Sequence, residues 1–230
     1  MSDTSAIFFH PQPDETGAPV PVFRPTPATA PETWLDPQAR ATYSVTNPAR
    51  LPESMNGVAF THESLGPDDW ARFMRLYRDF PEPPEPESPK RRTSGVVMVE
   101  PDHRIWIVHP TNQFGDVEAT FPKGRLEPGL TLLVNALKEG WEESGLVAQP
   151  LAYLCDVERT KTITRYYLAR RTAGSPADVG WESQAVTLVP AHGLLELLNR
   201  PNDRRILPFL AEVLNAANQL NGFGKTHKSR

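Results

Sequence analysis

One stretch constrains this chain more than any other: Phe121-Pro-Lys-Gly124-Arg-Leu-Glu-Pro-Gly129, running into Leu130-Thr-Leu-Leu-Val-Asn-Ala-Leu-Lys138-Glu139-Gly-Trp-Glu142-Glu143-Ser-Gly145-Leu146. A glycine-punctuated loop enters what reads as a helix, and the helix stops at Gly145. At 3.6 residues per turn, Glu142 lies about 60° to one side of Glu139 and Glu143 about 40° to the other. The three carboxylates therefore share one face, while Leu133, Leu137, Trp141 and Ser144 gather opposite, with Val134 and Gly140 at the margins. Crowded carboxylates are unfavourable unless a cation or water screens them. Hard cations such as Mg²⁺ take carboxylate oxygens as ligands, so one reading is a metal site. The other is a solvated acidic face, since Glu is a good helix former. Acidic residues in a last turn oppose the helix dipole, and the tight entry through Gly124, Pro128 and Gly129 adds to the case for the metal.

The same residues give the chain its resemblance to the Nudix hydrolases, whose signature is G-x5-E-x7-R-E-U-x-E-E-x-G-U with U aliphatic. Gly124, Glu139, Glu142, Glu143, Gly145 and Leu146 fall at the required spacing, and Lys138 takes the Arg position. Leu130 stands where the family has Glu, and Gly140 where it has an aliphatic residue. The resemblance extends less sharply over about Arg92–Ala216 and does not cover the N-terminal part.

This resemblance implies an α+β domain, an α/β/α sandwich of the Nudix type with a mixed sheet. It implies a Mg²⁺-dependent hydrolase (with Mn²⁺ as an alternative ion) that cleaves a phosphoanhydride in a nucleoside diphosphate-linked or related polyphosphate substrate. Glu139, Glu142 and Glu143 would hold metal, helped by the backbone at Gly124. Lys138 would orient Glu139 as a point charge in place of a bidentate fork. Leu130 can neither ligate metal nor accept a proton, and Glu182 is the first candidate for the missing acid, ahead of Asp116 and Glu118; an exposed loop Glu is the alternative. Lys123 and Arg125 are candidates to meet substrate phosphate. Arg159, Lys161 and Arg165 could bind further phosphates and Tyr166 or Tyr167 stack a base, or all could belong to a polar strand face. Gly140 would let the helix approach the sheet closely, at a propensity cost of roughly 1 kcal/mol. His109 and His192 lack ligand-spaced partners and read as structural.

The rest of the chain bounds these readings. Its 230 residues suit one ordinary domain plus an extension. A net charge of −4 gives no basic field for general nucleic-acid binding. A single cysteine, Cys155, excludes an internal disulfide. No apolar run is long enough to span a membrane, and no signal-like apolar segment opens the chain, so a cytoplasmic location is expected. A homodimer is compatible with such a chain. Of the 25 prolines, 16 fall within the first 90 residues. Residues 1–92 accordingly read as a Pro-rich extension, draped or irregular, with Phe8, Phe9, Phe23 and Trp34 as candidate anchors. The extension carries a short strand at Gly57–Phe60, one amphipathic helix from Pro67 with Trp70, Phe73, Met74, Tyr77 and Phe80 in its stripe, and a stiff Pro/Glu linker.

Residues 93–220 would form the Nudix domain and 221–230 a basic tail. Strands are expected at Gly95–Val99 and Arg104–Val108 as a hairpin, at Ala119–Phe121, and at Leu151–Val157, Ile163–Ala169 and Ala185–Val189. A short helix is expected over His192–Asn199 and a longer one over Arg204–Leu220, with Ile206, Phe209, Leu210, Val213 and Leu214 on its apolar face. Two other functions stay open: a Nudix-fold nucleotide-binding or regulatory module with little turnover, motivated by Leu130, and an interaction protein acting through the Trp70–Phe80 helix.

Overall fold

The computed structural model describes residues 8–215. Short extended pieces come first: β1 (Phe8–Phe9), β2 (Pro21–Val22), β3 (Ala41–Ser44), β4 (Ser54–Met55) and β5 (Val58–Ala59), then the helix α1 (Pro67–Leu76). There follow β6 (Arg91–Met98), β7 (Arg104–Pro110), β8 (Lys123–Arg125), α2 (Leu132–Ser144), β9 (Leu146–Glu158), β10 (Thr162–Gly174) and β11 (Ser183–Pro190). The short helices α3 (Leu194–Leu197) and α4 (Pro201–Arg204) precede further helical residues over 207–215. The end of the expected helix at Leu220 and the basic tail lie outside the described residues.

Successive side chains on a strand face opposite ways, and here both faces are apolar. Val96 and Met98 of β6 pack with Leu133, Ala136 and Leu137 of α2, whereas Val97 between them packs with Ile206 and Leu210. Trp106 and Val108 of β7 join the first core, Ile105 and Ile107 the second. Strands of this kind need cover on both sides. The strands form a mixed sheet in the order β8-β6-β10-β9, with β6 and β10 parallel, and an antiparallel sheet in the order β3-β11-β7. With α2 on one side and the C-terminal helical residues on the other, the domain is an α/β/α sandwich.

Local chemistry fixes the central helix. The Thr131 side chain accepts the Val134 N–H at 3.3 Å, an N-cap. Gly145 closes the other end at φ 72°, where a Cβ would come within 2.2 Å of the Ser175 carbonyl oxygen. A Cβ on Gly140 would stand 2.7 Å from Val96, so this glycine does admit the sheet. Trp141 departs from the expected apolar arc: it is only partly buried, lies 5.9 Å from the Trp70 ring of α1 and donates its indole N–H to the Glu63 carbonyl at 3.2 Å.

Three other expectations are corrected. β6 and β7 are joined by a tight turn in which the Glu100 N–H reaches the Arg104 carbonyl at 2.9 Å, yet they belong to different sheets. The Ala119–Phe121 segment makes only a bridge between Thr120 and Val108, and the strand here is β8. Phe209 is 46 % exposed, because its turn of helix faces solvent between Ile206 and Leu210, which are buried.

The largest correction concerns the extension, which is built into the sandwich rather than laid over it. β3 pairs with β11, and Trp34, Ala41 and Met55 are buried in the same core as Trp106. Of the aromatic anchors only Trp34 is buried; Phe8, Phe9 and Phe23 are exposed. Buried arginines fasten the rest. Arg171 pairs with Glu100 at 2.7 Å, donates to the Met55 carbonyl at 3.0 Å and lies 4.5 Å from the Phe60 ring centroid. Glu100 also accepts from Trp106 Nε1 at 2.8 Å and Asn56 at 3.0 Å. Arg104 donates to the Trp34 carbonyl at 2.6 Å and pairs with Asp102 at 2.8 Å.

Two stability measurements follow from these contacts. Arg171→Met leaves Glu100 buried without its charge partner, a change that typically costs about 3–5 kcal/mol. Chemical denaturation is expected to show that loss, and adding Glu100→Gln is expected to recover part of it. His109 is buried between the Glu118 carbonyl (2.9 Å) and the Thr187 hydroxyl (2.8 Å), and burial lowers its pKa from 6.5 to about 4. Between those values the unfolded chain binds a proton that the folded chain refuses, so stability falls as pH drops from 6.5 to 4. The midpoint of thermal unfolding followed over that range drops less for His109→Gln than for the parent.

Candidate active site

The entry loop of α2 is held at several points. The Leu126 N–H donates to the Arg92 carbonyl at 3.2 Å, continuing the contact of β8 with β6. Glu127-Pro-Gly-Leu130 forms a turn with the Leu130 N–H on the Glu127 carbonyl at 3.3 Å and Gly129 at φ 87°. Pro second and a positive-φ glycine third are the requirements of a type II turn. The Glu127 N–H donates to Asn135 Oδ1 at 2.8 Å, and Asn135, fully buried, donates its own amide to Ser94 Oγ at 3.0 Å. One buried asparagine thus pins the turn to β6.

Against this loop lies the acidic face of α2. A Cβ on Gly124 would come 2.1 Å from the carboxylate atoms of Glu139, so this glycine makes room for that carboxylate. Glu139 is 8 % exposed, and its pKa is raised to about 8 by burial first and by Glu143 and Glu142 after it. Glu143 accepts the Lys123 N–H at 3.0 Å and is raised to about 7, again chiefly by burial. Lys138 bridges Glu127 at 2.7 Å and Glu142 at 2.5 Å. Burial pulls the Lys138 ammonium down, and the two carboxylates outweigh it and hold it above the usual lysine range. Carboxylate oxygens of Glu127, Glu139 and Glu142 all lie within 4.8 Å of one another.

These residues open onto a cleft of about 410 Å³. Half of its lining residues are acidic, and Lys138 is the lysine among them. The extension supplies one wall through Gln12, Glu15, His62, Glu63 and Ser64, and the segment before β11 supplies Asp178, Trp181 and Glu182. His62 Nδ1 meets Asp178 at 2.9 Å, and Gln12 donates to the Asp178 carbonyl at 3.2 Å. The Gly180 N–H donates to the Glu142 carbonyl at 2.8 Å, which ties the second wall to α2.

A divalent cation fits this donor set. Only oxygen donors are gathered, which suits a hard ion, and the carboxyls hold their protons above the usual range because their charges crowd one another in a buried place. A bound cation relieves that crowding.

The expected site residues divide cleanly. Glu139, Glu142, Lys138 and Glu182 line the cleft, Glu143 accepts the Lys123 N–H, and Gly124 lies against Glu139. The Glu182 carboxyl is raised by burial first and then by Glu142. Several expected ligand-binding residues are corrected. Arg159 donates to Tyr166 Oη at 3.0 Å and to Asp203, a buried partner, at 2.7 Å. Tyr166 is fully buried and offers no face to a base. Arg165, 3 % exposed, pairs with Asp156 at 2.9 Å and Glu82 at 3.0 Å and donates to the Pro83 carbonyl at 2.9 Å, so it clamps the linker. Tyr167, also buried, donates to Glu82. Lys161 and Arg125 are exposed and do not line the cleft. Asp116 and Glu118 are also away from it; Glu118 lines a separate cleft with His109 and Arg24.

Glu127 is the residue that the sequence reading missed. Its signal was present: a carboxylate followed by Pro-Gly, three positions before Leu130, in a turn that brings its ends together.

Gly124→Ala tests the geometry. The added methyl meets the flexible end of Glu139 rather than backbone, so the strain falls on that carboxylate and not on the fold. The expected outcome is an unchanged circular dichroism spectrum with divalent-cation affinity reduced roughly tenfold or more, the size of effect typical when ligand orientation is disturbed.

The profile of the NUDIX domain matches residues 89–210. Among solved structures, the chain is similar to a NUDIX hydrolase from Nitrosomonas europaea, with 13 % identity, 54 % of this chain and 89 % of the other covered, and a TM-score of 0.45. It is similar to an ADP-ribose pyrophosphatase from Streptococcus suis at 18 % identity, with 55 % and 91 % covered and a TM-score of 0.44. It is also similar to a MutT protein from Methanosarcina mazei at 16 % identity, with 58 % and 99 % covered and a TM-score of 0.44. No curated protein matches the chain. The profile spans more than half of the sequence and takes in the whole loop-helix frame from Gly124 to Leu146, and on that basis the chain belongs to the Nudix family of hydrolases.

Proposed function

We propose that this Nudix pyrophosphohydrolase is Mg²⁺-dependent and cleaves the phosphoanhydride of a substrate in which a nucleoside diphosphate is linked to another group. The observation that carries this reading is the approach of the Glu127, Glu139 and Glu142 oxygens to within 4.8 Å at the foot of an open cleft. A divalent cation held by these residues would supply charge neutralisation for the phosphates, orientation of the anhydride and a lowered pKa for water.

The chain's own residues divide the remaining work. Glu139 and Glu142, whose oxygens belong to that cluster, and Glu143, which accepts the Lys123 N–H, would hold the cation, and Mn²⁺ could replace Mg²⁺ in an all-oxygen set. Lys138 fixes the Glu142 carboxylate. Lys123, whose backbone N–H anchors Glu143, would present its charge to a substrate phosphate. Glu182 faces Glu142 across the cleft, and its raised proton affinity suits a group that accepts the proton of an attacking water. Glu182 also lines the same cavity as Glu139 and Glu142, which supports the assignment.

The charge of the cleft favours the linked diphosphate over longer polyphosphates. Arg159 and Arg165, the cations expected to meet extra phosphates, are occupied by Asp203, Asp156 and Glu82. The walls instead carry Glu15, Glu63, Asp178 and Glu182. Each further phosphate entering such a cavity would face uncompensated like charge. Leu130 supports the second reading, a nucleotide-binding module with little turnover, because the consensus carboxylate is absent from its position.

A substrate panel decides between the readings. ADP-ribose, UDP-glucose, diadenosine tetraphosphate, diphosphoinositol polyphosphates and nucleoside triphosphates are incubated with the full chain, with and without Mg²⁺ or Mn²⁺. Metal-dependent cleavage of a linked diphosphate, reduced at least a hundredfold in Glu142→Gln and Glu143→Gln, is the expected result. Binding without turnover on every substrate would establish the module. Unchanged rates for Glu182→Gln would remove that residue from the mechanism.

A further inference from the structure

We infer that Glu127 performs the task of the carboxylate missing at position 130: it is a positioning residue that fixes Lys138 and, through it, the metal-binding face of α2. The inference rests on the metal-site reading above and concerns a residue outside the consensus positions.

Four observations carry it. The Glu127 carboxylate is 2.7 Å from Lys138 Nζ, and the same ammonium is 2.5 Å from Glu142. Asn135, itself buried and bonded to Ser94, receives the Glu127 backbone N–H at 2.8 Å, so the residue is held in place before its side chain makes any contact. The Glu127–Leu130 turn is closed at 3.3 Å, and a closed turn brings its end residues to within about 7 Å of each other. A carboxylate on residue 127 thus starts close to where one on residue 130 would start. Its oxygen also lies within 4.8 Å of oxygens from Glu139 and Glu142.

The physical role follows from Lys138. A lysine at the consensus arginine position is a compact point charge, not a fork that can satisfy one carboxylate with two bonds. Left to Glu142 alone, the ammonium would compete directly with a cation for that ligand. Glu127 gives the ammonium a second carboxylate at 2.7 Å, so that its charge is shared with Glu142 at 2.5 Å and does not fall on that ligand alone. Because 45 % of the Glu127 side chain is exposed, its replacement leaves the fold unburdened.

The test uses the full chain and Mn²⁺ alone, titrated by calorimetry, with thermal unfolding in parallel. Glu127→Gln is expected to weaken Mn²⁺ binding roughly tenfold or more, the usual range for outer partners of ligands, with an unchanged melting temperature in chelator. Adding Leu130→Glu to that variant is expected to restore most of the affinity, which a merely structural Glu127 would not allow. Parent-like Mn²⁺ affinity in Glu127→Gln, or no recovery in the double variant, overturns the inference while leaving the metal site standing. A parent protein that binds no Mn²⁺ overturns both.

Discussion

The arrangement of this protein depends on holding the Glu139 carboxylate in a buried position against the backbone of Gly124. An isolated carboxylate in such a place is driven towards its neutral form, and two further glutamates from the same helix face increase the drive. The fold answers with structure on each side. Gly124 gives up its side chain, the Lys123 N–H takes Glu143, and Lys138 spans Glu142 and Glu127. Even so, the carboxyls stay above their usual range, so the bare site is electrostatically unsatisfied. Burial is what separates this set from a solvated acidic face.

A second constraint comes from proline. A proline-rich segment has carbonyl acceptors but fewer N–H donors, so packing it on a domain leaves acceptors in surplus. Arginine has five donors and no acceptor, and arginines meet that surplus throughout this chain. Arg92 reaches the Pro86 carbonyl, Arg165 those of Pro83 and Pro84, Arg104 those of Thr33 and Trp34, and Arg171 that of Met55. Arg165, which looked like a phosphate ligand in the sequence, is part of this system. The engagement of these arginines fixes the extension, and the fixed extension places Gln12, Glu15, His62, Glu63 and Ser64 along the cleft. The wall of the candidate site is therefore a consequence of how proline-rich chain is satisfied elsewhere.

What was legible in the sequence follows the range of the interactions. The central helix was legible because its cap, its glycine stop and its carboxylate spacing are all encoded within one segment. The strands were legible from apolar runs, but their sheet membership was not. A tight turn such as Glu100–Arg104 looks like a hairpin, and only the partners of β6 and β7 across the fold assign them to different sheets. Arg159, Lys161 and Arg165 illustrate the same limit. Alternation at a strand end identifies a polar row, whereas Asp203, Asp156 and Glu82, which decide whether that row is free, come from other segments. Trp34 was distinguishable from Phe8 and Phe23 only through Trp106 and Arg104, which receive it.

Glu127 carries this point into the site itself. A signature fixes positions along the chain, but the chemistry requires only that a carboxylate reach a given ammonium. A Pro-Gly turn makes positions 127 and 130 near neighbours, and a buried asparagine chooses which of them is held against the helix. Lysine in the consensus arginine position makes that choice workable, because a spherical ammonium accepts partners from several directions and a planar guanidinium does not. The departures at Leu130 and Lys138 are therefore coupled. Considered singly each looks like the loss of a functional group, and together with Glu127 they form one ion-paired arrangement that leaves the acidic face intact.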